Sequence, residues 1–272
     1  MNRTIHADIV VIGAGSGGLS VASGAAQLGL KTVLFEKGEM GGDCLNYGCV
    51  PSKALIAAAK VAHTLRSPGD LGITSTAEPQ IDFAAVMAHV HRAIATIAPH
   101  DSQERFEGLG CTVVRETARF VGEDTVQGGD VRVKARKIVI ATGSRPKLPP
   151  IPGLEATPYL TNETLFDLTQ QPSHLIILGA GPIGLELGQA FARLGTKVTV
   201  LEADRALPRE DADLAAIVIE AVRADGVDLR EGATATAVAA TADGVAVTYR
   251  LGDLETRLEG SHLLVATGRA PN

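Results

Sequence analysis

Two stretches of this 272-residue chain follow one plan, and that plan leaves few folds open. ADIVVIGAGSGGLSVASGAAQLGLKTVLFEK (residues 7–37) and HLIILGAGPIGLELGQAFARLGTKVTVLEAD (174–204) each begin with a short apolar run, the pattern of a parallel strand buried on both faces. A G-x-G-x-x-G turn follows, then a helix with small residues on one face, a glycine, and a second apolar strand ending in an acid. Gly13 to Glu36 and Gly179 to Glu202 each span 23 positions. A single glycine-rich turn is weak evidence, but strand, turn, helix and terminal acid repeated in full are specific for dinucleotide binding. Gly13 and Gly179 permit the tight turn, Gly15 and Gly181 let backbone approach a pyrophosphate, and Gly18 and Gly184 let helix pack closely on strand. The helix start offers its free N–H groups and dipole to phosphates, and Glu36 and Glu202 are placed to accept hydrogen bonds from a ribose diol.

A second feature is also duplicated. IVIATGSRP (138–146) and LLVATGRAP (263–271) are each a buried strand entering Ala-Thr-Gly and a proline turn. From first glycine to ATG the two copies differ by 41 positions, the first being the longer. The excess includes a cysteine stretch, a helix expected over about 49–65 and a long helix expected over about 81–108. Before each ATG, alternating strands with Asp-Gly, Gly-Gly and Gly-Asp turns predict a small antiparallel meander. The proline-rich RPKLPPIPGLEATP (145–158) is the natural linker. The fold class expected is therefore α/β: two consecutive Rossmann-like domains, 1–150 and 151–272, each with a parallel sheet and a meander.

The bulk numbers agree with a globular protein able to bury a core: 45% hydrophobic and 21% charged residues. A net charge of −6 argues against nucleic acid or an anionic membrane as partner. The longest apolar runs are far too short to span a bilayer, and the N-terminus enters a strand almost at once without a cleavage pattern. The cytoplasm is the expected compartment, where a catalytic disulfide is admissible and a stable structural one is not expected.

The stretch GGDCLNYGCVPSK (41–53) holds two of the three cysteines. Zinc wants four N/S ligands at recognisable spacing, and no histidine lies near the pair, so no metal site is expected. In a regular helix, Cα atoms five residues apart lie roughly 8–9 Å apart, whereas a disulfide requires about 4.4–6.8 Å. The pair could close only if the backbone leaves the helix at Asn46, Tyr47 and Gly48. So small a loop would stabilise little by chain entropy, which favours a reactive element over a staple. A helix start at Cys49, with Lys53 one turn on, would favour a thiolate there.

These residues, with GAGSGG upstream, GAGPIGLELG downstream and both ATG segments, resemble the pyridine nucleotide–disulfide oxidoreductases along the whole chain. Within that family the likeness is to the dihydrolipoamide dehydrogenase and mercuric reductase branch, whose redox motif reads G-G-x-C-x-N-x-G-C-[VI]-P-[ST]-K. The resemblance implies FAD in the first unit, with Gly42, Asp43, Ala118, Thr142 and Gly143 around it, and NADH or NADPH in the second, near Ile183 and Gly268. It implies a redox-active Cys44–Cys49 disulfide, Cys49 being the thiol against the flavin and Cys44 the interchange thiol facing substrate. Lys53 would sit beside the flavin and pair with Glu186. The reaction implied passes electrons from NAD(P)H through FAD to the disulfide, then to a small-molecule disulfide, dithiol or Hg(II)-type substrate. Glu202 would repel a 2′-phosphate and so favours NADH, with Arg205 the nearby residue that could tolerate NADPH.

Family members continue past an ATG of this kind with a further FAD-binding segment. They then add an interface domain that makes a homodimer and supplies a His–Glu acid–base pair. The chain stops at ATGRAPN, so it is expected to be an N-terminal part lacking the dimerisation domain, with little turnover alone. Two other readings use the same residues: an FAD/NAD-binding fragment without thiol turnover, and a flavin-dependent reductase that ignores the cysteines. Cys111 reads as a small buried apolar residue, His89 and His91 as surface or packing residues, and Asp101 with Glu104 as a capping box.

Overall fold

The computed structural model describes residues 3–66 and 78–272. Residues 1 and 2, at the start of the N-terminal stretch, and 67–77 lie outside the described residues. The chain forms two compact units: Met1–Pro51 with His91–Arg145 and Pro271–Asn272, and Ser52–Val90 with Pro146–Ala270.

The expected strand, glycine turn, helix and strand are β1 (Arg3–Ile12), α1 (Ser16–Gln27) and β2 (Thr32–Phe35). Short α2 (Gly42–Asn46) and long α3 (Cys49–Arg66) come next, the latter agreeing with the helix expected over 49–65. The long helix expected over 81–108 is not one element. It divides into α4 (Phe83–Ile97), a 3₁₀ turn at Ala98–Asp101 and α5 (Gln103–Gly108). Pro99 is the physical reason, because it lacks the N–H that a continuing helix needs and disfavours helical backbone just before it. The cap is also one residue further on than expected: Ser102, not Asp101, accepts from the Arg105 N–H at 3.2 Å.

The first unit's sheet is completed by β3 (Thr112–Val114), β4 (Arg119–Gly122), β5 (Thr125–Gly128) and β6 (Val131–Ile140). Six strands run in the order β3-β2-β1-β6-β5-β4. Pairings from β3 to β6 are parallel, while β4·β5 and β5·β6 are antiparallel. The meander is thus fused to the parallel sheet. Ten-residue β1 pairs with β6 along its whole length, from Arg3↔Val131 to Ile12↔Ile140. One face packs Val10, Val33, Phe35, Val126 and Val133; the other packs Val11, Leu19, Leu34, Phe106 and Cys111. Cys111 is buried as expected, and His89 and His91 are exposed.

Short β7 (Ser144–Pro146) leads into the second unit, which holds β8 (His174–Leu178), α6 (Pro182–Arg193), β9 (Lys197–Glu202), α7 (Ala212–Ala224) and β10 (Asp228–Glu231). The strands β11 (Ala233–Thr241), β12 (Gly244–Leu251) and β13 (Leu254–Gly260) form a separate three-stranded antiparallel sheet. Then β14 (His262–Val265) closes a parallel sheet of order β10-β9-β8-β14, and β15 (Arg269–Pro271) ends the chain. Here β8 has only five residues, too few to carry both the meander strand and the ATG strand. The chain changes sheet at Ser261, whose N–H and hydroxyl both donate to the His174 carbonyl, at 2.9 and 3.0 Å. A Cβ on Gly260 would lie 2.8 Å from the Ile176 side chain, so the crossing requires glycine. Leu154, Ile176, Leu178, Val247 and Leu263 lie in the core where the two sheets pack.

Candidate functional site

The three glycines of each turn differ in what a Cβ would meet there. Gly13 and Gly179 have φ of +104° and +100°, and a Cβ on either would come within 2.3 and 2.6 Å of the Ala141 and Ala266 carbonyl oxygens. These are the alanines of the two ATG segments, so the first glycine lets the turn abut the neighbouring strand. A Cβ on Gly18 or Gly184 would strike the carbonyl oxygen of Gly13 or Gly179, at 1.8 and 2.1 Å. The middle glycines differ in kind. A Cβ on Gly181 would meet nothing within 4 Å, and one on Gly15 only the Gly42 Cα at 3.9 Å. The space before them is open, and each caps a helix whose first N–H groups lack a side-chain acceptor. Such a cradle fits a pyrophosphate.

The acids do more than await a ribose. Glu36 accepts from the Ala14 N–H at 2.6 Å and the Gly38 N–H at 2.7 Å. Glu202 accepts from the Ala180 N–H at 2.7 Å and the Asp204 N–H at 3.1 Å. Each carboxylate fastens the middle of its glycine turn to the end of its second strand. Its remaining lone pairs are left for a diol.

In the first unit the cysteine stretch docks onto the turn. The Gly41 N–H donates to the Ala14 carbonyl at 2.9 Å, and a Cβ on Gly42 would lie 2.7 Å from the Gly15 Cα. Gly41 (φ +85°) escaped the sequence reading, although the doubled glycine before Asp43 carried the signal. Asp43 is exposed in α2. Leu45 is buried and anchors α2, and the Asn46 amide donates to the Met40 and Gly42 carbonyls at 3.1 and 2.9 Å. The helix breaks at Tyr47 (φ −135°, ψ 0°), within the Asn46–Gly48 stretch where the pair required a departure. Cys49 opens α3 and is exposed, while Cys44 is half-buried; the two stand as reduced thiols, not joined by a disulfide. Burial pushes the Cys44 thiol up to about 11, helped by a hydrogen bond to Cys49 and by the charges of Cys49 and Asp43. Thr142 and Gly143 are exposed beside the turn, and their carbonyls accept from the Asn272 amide and N–H. Ala118 packs against the core that holds Phe35. The glycine cradle and the open backbone at Gly143, where a Cβ would touch nothing, fit a flavin dinucleotide.

In the second unit a cavity of about 900 Å³ opens before the turn. Gly179, Gly181, Ile183, Glu202 and Gly268 all line it, whereas Gly184 is buried in the first turn of α6. The arginines lining it, among the described residues, are Arg209 and Arg269. Arg205, the residue near Glu202 expected to tolerate NADPH, does not line the cavity; its guanidinium donates to the Pro208 and Glu210 carbonyls at 3.0 and 3.3 Å. Asn162 was also missed; it lines the cavity and accepts from Arg269 at 3.3 Å. No local motif announces it, because the loop that carries it is far from the fingerprint in sequence. The Lys53 ammonium donates to Glu186 Oε2 at 2.5 Å, bringing together α3 and α6 as the resemblance implied. Among the described residues no cluster of His, Cys, Asp or Glu is arranged to hold a metal ion, and no helix is long and apolar enough to cross a membrane.

Two glycine turns of dinucleotide-binding form, with a pair of cysteines docked on the first, are the pattern of pyridine nucleotide–disulfide oxidoreductases. The sequence matches the pyridine nucleotide-disulphide oxidoreductase family over residues 7–272, and the chain belongs to that family. It is 39% identical over 274 residues to a mercuric reductase of Shigella flexneri, covering 97% of this chain and 48% of that protein. It is 35% identical over 267 residues to a mercuric reductase of Streptomyces lividans, covering 96% and 56%. Dihydrolipoyl dehydrogenase 2 of Haloarcula marismortui is 36% identical over 279 residues, with 98% and 58% covered. The HOCl-induced flavoprotein disulfide reductase RclA from Escherichia coli superposes with a TM-score of 0.82 at 29% identity, covering 97% of this chain and 57% of that one. The chain thus spans about half the length of the curated relatives it matches.

Proposed function

We propose that the chain is the nucleotide-binding and thiol-bearing part of a flavoprotein disulfide reductase that uses NADH in preference to NADPH. The domains are an FAD-binding 1–150 and an NAD(P)-binding 151–272, and the whole enzyme is a cytoplasmic homodimer. The acceptor is a small-molecule disulfide or dithiol, or Hg(II). The observation that carries this reading is the docking of GGDCLNYGC on the first of two glycine turns, each with open space before its middle glycine.

FAD, when bound in the first unit, would relay an electron pair from the nicotinamide to the cysteine pair. The residues of the chain do the rest. In disulfide reduction, Cys44 loses its proton and attacks one substrate sulfur, and the other sulfur leaves as a thiolate. The Cys49 thiolate then attacks Cys44, closing the Cys44–Cys49 bond and expelling the second substrate thiolate. Because its thiol is pushed up to about 11, Cys44 needs a base to remove that proton. Lys53, held by Glu186, keeps a positive charge one helical turn beyond Cys49. Glu36 and Glu202 orient the two riboses while bracing the turns.

The test is the visible spectrum of FAD-loaded protein during titration with NADH. A long-wavelength thiolate-to-flavin band that Cys49→Ser abolishes supports the reading. Bleaching of the flavin without that band removes the cysteines from the reaction.

A further inference from the structure

Among the described residues, one residue other than glycine has a positive φ, and it lines the cavity of the second unit: Leu207, at +49°. An L side chain rarely adopts this region, and a bulky one less often still. Its position repeats that of Gly41. Gly41 lies five residues after Glu36 and donates its N–H to the Ala14 carbonyl at 2.9 Å; Leu207 lies five after Glu202 and donates to the Ala180 carbonyl at 3.1 Å. Both copies therefore latch the segment after the acid onto the middle residue of the glycine turn, through a residue with left-handed backbone. In the first copy a Cβ there would lie 2.4 Å from the Leu45 side chain, because α2 starts at once, so only glycine fits. In the second copy the next helix begins at Ala212, and the leucine side chain is buried at 7% exposure.

We propose that Leu207 is a positioning residue of the nicotinamide nucleotide site: its latched, left-handed backbone turns the strap 203–210 so that Pro208, Arg209 and Glu210 wall the cavity beside Glu202. Three further bonds tie the strap on either side of the latch. The Ala206 N–H donates to Glu231 Oε1 at 2.8 Å, the Gly232 N–H to the Asp204 carbonyl at 3.0 Å, and the Glu210 N–H to the Leu207 carbonyl at 3.1 Å. With the residues before the latch tied to the fold and the turn after it closed by its own bond, the sense of the turn at residue 207 decides which way the next three residues face. All three line the cavity, and two of them bring opposite charges to it. The strap therefore sets discrimination between nucleotides that differ in charge at the ribose, acting through Arg209 and Glu210. This inference rests on the reading of the cavity as a nicotinamide nucleotide site.

The experiment measures dissociation constants of NADH and NADPH by fluorescence for the unaltered protein and for Leu207→Gly, Leu207→Val and Leu207→Pro. Glycine accepts the conformation freely and keeps the N–H, so it should hold both constants within about twofold. Valine opposes the conformation and proline forbids it and removes the N–H. Each should weaken the preferred nucleotide about tenfold and bring the NADH/NADPH ratio towards one. Should the proline variant not fold, the valine variant decides. A lower melting temperature with unchanged constants would make Leu207 merely structural and overturn the proposal. So would a loss in Leu207→Gly as large as in Leu207→Val, which would place the effect in the side chain. If the unaltered protein binds neither nucleotide, the reading of the cavity falls and this inference with it; binding that no substitution alters defeats the inference alone.

Discussion

The two glycine turns repeat the same φ angles, close approaches and carboxylate bonds, and part company a few residues after the acid. In the first copy, five residues separate Glu36 from the short helix that holds Cys44, and the strap is sealed by Gly41 and Gly42 against the turn. In the second, nine residues separate Glu202 from α7, and the strap instead walls a cavity of about 900 Å³. The lesson is that the phosphate cradle is the invariant part. The segment just beyond the acid decides whether the site also carries a reactive group or only holds a ligand.

The sharpest way to break this comparison is to add a methyl group at matched positions. Gly13→Ala and Gly179→Ala place a Cβ on a carbonyl oxygen at positive φ, so each should cost more than about 3 kcal/mol in urea unfolding. Gly181→Ala meets nothing, and should change stability by no more than about 1 kcal/mol while weakening NADH binding at least about tenfold. Equal stability losses at Gly179 and Gly181 would end the claim that one glycine serves the fold and the other the ligand. Between these lies Gly42→Ala, whose Cβ would press on Gly15 at 2.7 Å. We expect it to destabilise by about 1–3 kcal/mol and to lower FAD retention, with NADH affinity unchanged.

The cysteines give a pH test. The folded Cys44 pKa is raised from 9.0 to about 11, so folding favours its protonated form. Its contribution to stability is complete below pH 9 and is lost as pH rises towards 11. Iodoacetamide with peptide mapping should accordingly label exposed Cys49 first, with Cys44 catching up only as pH approaches 11. Equal labelling of the two at pH 8 would contradict that order. The smallest effect should come from Lys53→Met. Its ion pair with Glu186 is half-exposed, so the loss should stay below about 1 kcal/mol by thermal unfolding.

Much of this was legible because it is local. The strand–turn–helix–acid repeat needs only neighbouring residues to be recognised, and the break at Tyr47 followed from the reach of a disulfide. The fused and separate meanders were not legible, because they depend on the length of a distant partner strand: ten residues in β1, five in β8. Asn162 and Arg209 reach the cavity through loops that share no period with the fingerprint. Nor does the nearness of Arg205 to Glu202 in sequence reveal the two carbonyls its guanidinium reaches.

The pairing of β1 with β6 also bears on the order of events during synthesis. Arg3 meets Val131, so the first sheet has no central seam until synthesis has passed β6. The hairpins of β11–β13 close between near neighbours, with Thr241 opposite Gly244 and Leu251 opposite Leu254. Loop closure of that size is fast, and long-range parallel pairing is slow. The first unit therefore waits longer than the β11–β13 sheet to complete itself, holding the apolar edge of β1 open to chaperones or to aggregation until β6 has been made.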